Sequence, residues 1–165
     1  MTARTGVPSA VYPARRFRWR GIALEPYRTL GGGRAAGASR QVLVAGSSGA
    51  AISFDVRYFE LAPGGRTNFE RHRHAHVVIG LRGAGRARLG RRWVRLRRLD
   101  ACYIAPDTAH ELHNDRRGPF GFLCVVDARR DRGRPVHLRR TRAAPQGRRK
   151  NRKGRSYRAP LSCSA

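Results

Sequence analysis

Apolar positions along this chain fall in short runs, some alternating with polar residues and some continuous, each closed by Gly, Pro, Asp or Asn. Nine runs read as strands: 21–25, 41–44, 52–61, 76–81, 85–89, 93–96, 101–104, 109–113 and 120–126. Turns are predicted at Gly31-Gly32-Gly33, Pro63-Gly64-Gly65, Leu89-Gly90-Arg91, Pro106-Asp107 and Asn114 to Gly118. No run keeps a helical period over a window of about eleven residues, which argues against alternating strands and helices. Many short strands at close spacing predict an all-β sandwich or closed barrel.

The pattern is confined to the middle of the chain. Residues 1–16 carry Pro8 and Pro13 without periodicity and are expected to be a flexible arm. Residues 17–127 hold the strand-like runs. Residues 128–165 are rich in Arg, Gly, Pro and Ser with few aliphatics, so a disordered basic tail is predicted there. At 165 residues the chain fits one domain with a core of its own.

Charge sharpens this division. The formal net charge is +26, and half of it falls in residues 128–165. All but two of the 36 basic residues are Arg, a bias that resembles codon usage more than a surface built for phosphate. Such a chain would nonetheless bind polyanions in a salt-dependent way, so nucleic-acid association through the tail from Arg129 to Arg158 is one functional expectation. The three cysteines, Cys102, Cys124 and Cys163, have no paired spacing, and the first two lie in apolar runs where a reduced thiol acts as a small hydrophobe. No stretch reaches the length of a membrane span or of a signal-peptide core, and a cytoplasmic protein is expected.

The chemistry concentrates in Glu70, His72, His74 and His76, which occupy alternate positions just before an apolar run. Imidazole and carboxylate suit a divalent transition metal, one of Mn, Fe, Co, Ni, Cu or Zn. In a straight strand all four side chains would face one way, yet Glu70 and His76 would then stand roughly 20 Å apart. One ion with bonds of about 2 Å cannot bridge that distance. The segment must bend, and the residue at the bend must point away; spacing alone does not say which.

Here the chain resembles the cupins, whose first motif reads G-x5-H-x-H-x3,4-E-x6-G and whose second reads G-x5-P-x-G-x2-H-x3-N. Gly64, Glu70, His72, His76 and Gly83 keep the spacing of the first, with Glu70 at the position of its first His and His76 at that of its Glu. The second is matched by His110 and Asn114, while Leu99, Ala105 and Asp107 stand where it has Gly, Pro and Gly. The resemblance covers about residues 52–127. It implies a double-stranded β-helix, a small jelly-roll barrel, with a metal held by Glu70, His72, His76 and His110 and with His74 at the turn. Glu70 could instead move protons beside a three-His metal. The resemblance also implies pairing into a homodimer.

A metal in that setting can act as a Lewis acid or activate oxygen. The leading expectation is a metal-dependent enzyme of oxygenase, isomerase or lyase type, a dioxygenase being favoured, acting on a small polar organic molecule. A non-enzymatic cupin binding a small ligand is the alternative. Arg57, Tyr58, Glu60 and Tyr103 are candidates to line the barrel near the metal, with their inward or outward phase open. Gly31-Gly32-Gly33-Arg34 reads as a flexible loop, because no helix follows to make it a phosphate cradle. Trp93, set between arginines, fits a core or cation-π role.

Overall fold

The protein was analysed as a computed structural model describing residues 8–48 and 50–136. The expectations for residues 1–7, for Cys163 and for the tail from residue 137 onward therefore lie outside the described residues. The elements are antiparallel strands with one 3-10 turn, Gly46–Ser48. Among the described residues no helix is long and apolar enough to cross a membrane.

A six-stranded sheet has the order β10 (Ala101–Ile104), β7 (His76–Arg82), β12 (Phe120–Asp127), β5 (Phe54–Leu61), β4 (Arg34–Ala45), β3 (Glu25–Arg28). A five-stranded sheet faces it, ordered β13 (Arg134–Pro135), β6 (Glu70–Arg71), β11 (His110–His113), β8 (Ala84–Leu89), β9 (Arg92–Arg97). A small hairpin of β1 (Ala14–Arg15) and β2 (Arg18–Trp19) stands apart in pairing. The all-β architecture expected from the strand pattern is observed, and its two facing antiparallel sheets are the jelly roll that the cupin resemblance implies.

Alternation explains where the core sits. On β12 the buried residues Phe120, Phe122, Cys124 and Val126 alternate with Leu123, Val125 and Asp127. They join Phe59 and Leu61 of β5, Val78 of β7, Ala87 of β8, Leu96 of β9, Ile104 of β10 and Leu112 of β11 in one cluster between the sheets. Phe59 and Phe122 stack with ring centroids 5.4 Å apart.

Three findings depart from the sequence expectations. The first strand-like run, 21–25, contributes only Glu25 to β3, and β4 begins at Arg34, so Gly31-Gly32-Gly33 is the turn of a long β3–β4 hairpin. Thr29 closes that turn by donating its N–H to the Gly33 carbonyl at 2.7 Å. The second concerns the arm. Residues 14–16 of it join residues 17–19 in the β1–β2 hairpin, which lies on the outer face of β5, where Phe17 stacks on Tyr58 at 5.9 Å and Trp19 packs on the same ring at 4.9 Å. Gln41 pins the hairpin by donating to the Phe17 carbonyl and accepting from the Trp19 N–H. Tyr58 is thereby buried on the side away from the barrel interior, and its hydroxyl donates to Glu60.

The third concerns the start of the tail. The chain continues past Asp127 along the barrel: Pro135 of β13 pairs with Glu70 of β6, and the Val136 N–H donates to the Phe69 carbonyl. Arg130 reaches the buried carboxylate of Asp55. Strands of two residues such as β6 and β13 carry no periodicity, which is why composition alone hides them.

The second-motif departures have a backbone consequence. Leu99 has φ of 70° and Asp107 of 57°, so the positions where the cupin motif carries Gly keep the left-handed backbone even with side chains on them. Asn114, fully buried, donates to the carbonyls of Leu61 and Gly118, each at 2.8 Å, and accepts from the Arg116 N–H at 2.9 Å. It ties the ends of β5 and β11 to the loop before β12.

Candidate metal centre

Three imidazoles converge inside the barrel from three different elements. His76 opens β7 in the large sheet, His110 opens β11 in the small one, and His72 sits in the connection between β6 and β7. One nitrogen of each lies within 4.8 Å of the others. The rings meet edge to face, with centroids 4.8 Å apart for His72 and His110, 4.8 Å for His76 and His110, and 5.0 Å for His72 and His76.

The bend required within Glu70 to His76 falls at Arg73 and His74. His74 folds back so that its ring stacks on His72, with centroids 3.5 Å apart. It stands outside the three-His group, as a turn residue.

Hydrogen bonds decide which nitrogens face inward. His72 Nδ1 donates to the His74 carbonyl and His110 Nδ1 to the Thr108 carbonyl, both at 2.8 Å. A carbonyl only accepts, so these Nδ1 atoms carry the protons and each Nε2 keeps a free lone pair. The Nε2 atoms of His76 and His110 are 3.1 Å apart, a separation suited to two nitrogens each about 2.1 Å from one ion. Such backbone partners are the usual way a protein orients imidazole ligands. The donor set therefore fits a divalent transition metal.

Electrostatics point the same way. Burial above all, with the charge of neighbouring rings, pushes His76 down to about 2 and His110 down to about 4, and it lowers His72 as well. All three imidazoles are neutral near pH 7, the form in which they can bind a cation.

Glu70 is placed differently. It lies opposite His110 in the β6–β11 pairing and lines the same cavity, but its carboxylate is outside the three-His group. Burial pushes its carboxyl up, against the opposing charge of Arg57. It is a carboxyl able to hold a proton next to the imidazoles rather than one drawn into contact with them.

The cavity is about 1110 Å³ and opens between the Gly31-Gly32 turn and the segment after β12. Of the other candidates, Arg57 lines it, whereas Tyr58 and Glu60 face outward beneath the N-terminal hairpin and Tyr103 is 63% exposed. Two residues the strand pattern did not single out belong to the site. Cys124 projects into the cavity wall, its sulfur 3.2 Å from His76 Nδ1 and 3.4 Å from an Arg57 nitrogen. Asp131 accepts from the N–H groups of Arg73 and His74 and so holds the bend that carries His72. The alternation of β12 could have pointed Cys124 inward; no local signal marks Asp131.

Residues 57–126 match the cupin domain family model. The chain is 36% identical over 116 residues to 1-methylthio-D-xylulose 5-phosphate methylsulfurylase of Rhodospirillum rubrum, covering 70% of this chain and 72% of that relative. It resembles the crystal structure of a cupin 2 conserved barrel domain protein from Rhodopseudomonas palustris with a TM-score of 0.69 and 33% identity, covering 78% and 87% of the two chains. A cupin 2 domain-containing protein from Halorhodospira halophila matches with a TM-score of 0.59 and 40% identity, over 76% and 81%. With its motif residues gathered in a jelly-roll interior, and with relatives at this level of identity and coverage, the chain belongs to the cupin family.

Proposed function

We propose that His72, His76 and His110 hold a divalent transition metal and that the protein is a metal-dependent enzyme acting on a small, oxygen-rich organic molecule. The observation that carries this reading is the convergence of three neutral imidazoles, one nitrogen of each within 4.8 Å of the others, inside a cavity of about 1110 Å³. Three protein ligands leave coordination positions open, as catalytic metal sites do. When bound, the metal would supply Lewis-acid polarisation of a substrate oxygen.

The chain's own groups supply the rest. Glu70, its carboxyl pushed up by burial, can hold or pass a proton beside the centre. The Cys124 thiol, the only one among the described residues lining the cavity, places a soft sulfur next to His76. Phe59, Val78, Leu112 and Phe122 give part of the cavity an apolar wall. The relative from Rhodospirillum rubrum is named for acting on 1-methylthio-D-xylulose 5-phosphate. A cavity of about 1110 Å³ has the volume to take a small sugar phosphate, and that compound is the first substrate to try.

The test begins with elemental analysis of the purified full-length protein and of His72→Ala and His110→Ala. A transition metal near one equivalent, lost in both variants, is expected, together with turnover of the thiosugar phosphate that follows metal content. Retention of metal by either variant would remove the proposed ligand set. A metallated protein that leaves that compound and a panel of sugar phosphates unchanged would favour a ligand-binding cupin.

A further inference from the structure

The mouth and walls of the cavity carry several arginines, and their surroundings separate them. Arg40 is paired with Glu25 and Arg130 with Asp55. Arg28 and Arg132 are exposed and solvated. Arg57 is the exception. It lies on the inward face of β5, directly opposite Cys124 in the β5–β12 pairing, and its guanidinium is turned into the cavity.

Among the described residues no carboxylate lies within ion-pair distance of Arg57, and its Nε is buried with no acceptor. Its remaining contacts are weak ones: a hydrogen bond of 3.4 Å from Nη2 to the Cys124 sulfur, and the Phe59 ring, whose centroid is 5.4 Å from the guanidinium carbon. Glu70 in the same cavity senses its charge but lies beyond ion-pair distance; a guanidinium has five donors and cannot shed its charge, so drawing one partly out of water with no carboxylate in contact is costly. Such an arrangement is self-consistent when an anion enters the cavity and accepts from it, and Arg is the side chain whose planar fork matches phosphate and carboxylate oxygens.

Position gives this donor a purpose. Arg57 Nη2 and His76 Nδ1 touch the same sulfur atom, at 3.4 Å and 3.2 Å, so an anion on Arg57 stands beside the three-His centre. We infer that Arg57 is the specificity-determining residue of the cavity, binding an anionic phosphate or carboxylate group of the substrate through its unpaired guanidinium and so orienting the molecule toward His72, His76 and His110. This rests on reading the cavity as a substrate site, but it requires no metal to be bound.

The experiment uses the full-length protein, as purified and after chelator treatment, with Arg57→Gln and Arg57→Lys. Each is titrated calorimetrically with inorganic phosphate and with malonate, in enough salt to screen the exposed arginines. Thermal unfolding is followed with and without each anion, and metal content is measured throughout. Saturable binding by the chelated wild type, weakened about tenfold or more in Arg57→Gln and less in Arg57→Lys, is expected. Response to phosphate or to malonate alone identifies which anion the site takes.

The unfolding temperature without anion separates recognition from a structural role. Arg57→Gln removes a partly buried charge that has no carboxylate in contact and is expected to unfold at the same temperature as wild type or higher, while losing the rise in unfolding temperature that the anion produces. Equal anion affinity in wild type and Arg57→Gln, no saturable binding by the wild type, or a lower unfolding temperature of Arg57→Gln without anion would overturn the inference. Metal retained by Arg57→Gln and lost by His72→Ala keeps the two readings apart: anion binding can fail with the metal in place, and the metal can be absent with anion binding intact.

Discussion

Asp131 accepts a hydrogen bond from His74 Nδ1 at 2.8 Å, and the imidazole so held lies flat against His72 with ring centroids 3.5 Å apart. The same carboxylate accepts from the backbone N–H of Arg73 and of His74. One side chain therefore shapes the bend, turns the ring on it and backs the ring that faces the centre. The Arg73 N–H above all, then the His74 ring, holds its carboxyl well below the usual carboxylate range.

Asp131→Ala should loosen the bend without removing any imidazole. Metal affinity is expected to fall about tenfold or more, as for other partners that orient metal-ligating imidazoles, with the secondary structure unchanged. Competition with a coloured chelator measures it. Affinity equal to wild type would leave Asp131 a loop residue only.

Acid should destabilise the metal-free barrel earlier than its carboxylates do. An unfolded chain protonates its imidazoles near pH 6.5, whereas the folded protein keeps His110 neutral to about 4 and His76 to about 2. Between those values the unfolded state binds more protons, so stability falls as pH is lowered, by up to about 1.4 kcal/mol per pH unit for each imidazole. Asp55 and Glu60 act in the same sense at lower pH, since their folded-state pKa values are also lowered. Burial raises them, but hydrogen bonds outweigh it, from Ser47 and Arg130 to Asp55 and from Tyr58 and Arg82 to Glu60. Their contribution is present above the ordinary carboxylate range and is lost only below it. Unfolding temperatures of the chelated protein should drop from pH 7 to pH 5; a flat profile over that interval would show that the rings are not desolvated as described.

Glu70→Gln distinguishes a ligand from a proton carrier. The carboxylate lies outside the three-His group, so metal content is expected to match wild type while turnover falls on the order of a hundredfold or more. Metal loss comparable with that of His72→Ala would make Glu70 a ligand after all.

Leu99 offers a gain of stability. Its φ of 70° carries a left-handed penalty of about 1–2 kcal/mol for a side chain, and at 68% exposure it buries little in return. Leu99→Gly is expected to stabilise by about 0.5–1 kcal/mol after the extra chain entropy of Gly is subtracted. Gly83→Ala should do the reverse, because φ is 61° and a Cβ would clash with the Pro119 carbonyl oxygen, a loss of about 1–3 kcal/mol. Denaturant midpoints of the two variants check both signs.

Much of the barrel was legible because strands such as β7, β8, β10 and β12 are long enough to show alternation and end at turn residues. The first-motif spacing likewise led to His72 and His76, and the second supplied His110. What escaped was short or distant. β6 and β13 are two residues each, and Asp131 meets His74 across 57 positions of sequence. Composition worked against Ala128 to Val136, whose arginines resemble those of a solvated tail although Arg130 and Asp131 both reach carboxylate or amide partners in the barrel. The facing of β5 was also ambiguous. Arg57 points in and Tyr58 out, and only the hairpin from Phe17 to Trp19, which gives Tyr58 a second apolar surface, explains why the aromatic ring is the outer one.

Arg130 and Asp131 are adjacent in the chain yet bind opposite walls, Asp55 at the start of β5 and the bend that follows β6. Consecutive Cα atoms are separated by about 3.8 Å, so one peptide unit joins the two anchors across the rim. The two sheets cannot spread at that end without breaking an ion pair on one side or three amide and imidazole bonds on the other. The rim beside the three-His group is thus held by two polar anchors that are neighbours in sequence, so a substitution at either position acts on both walls.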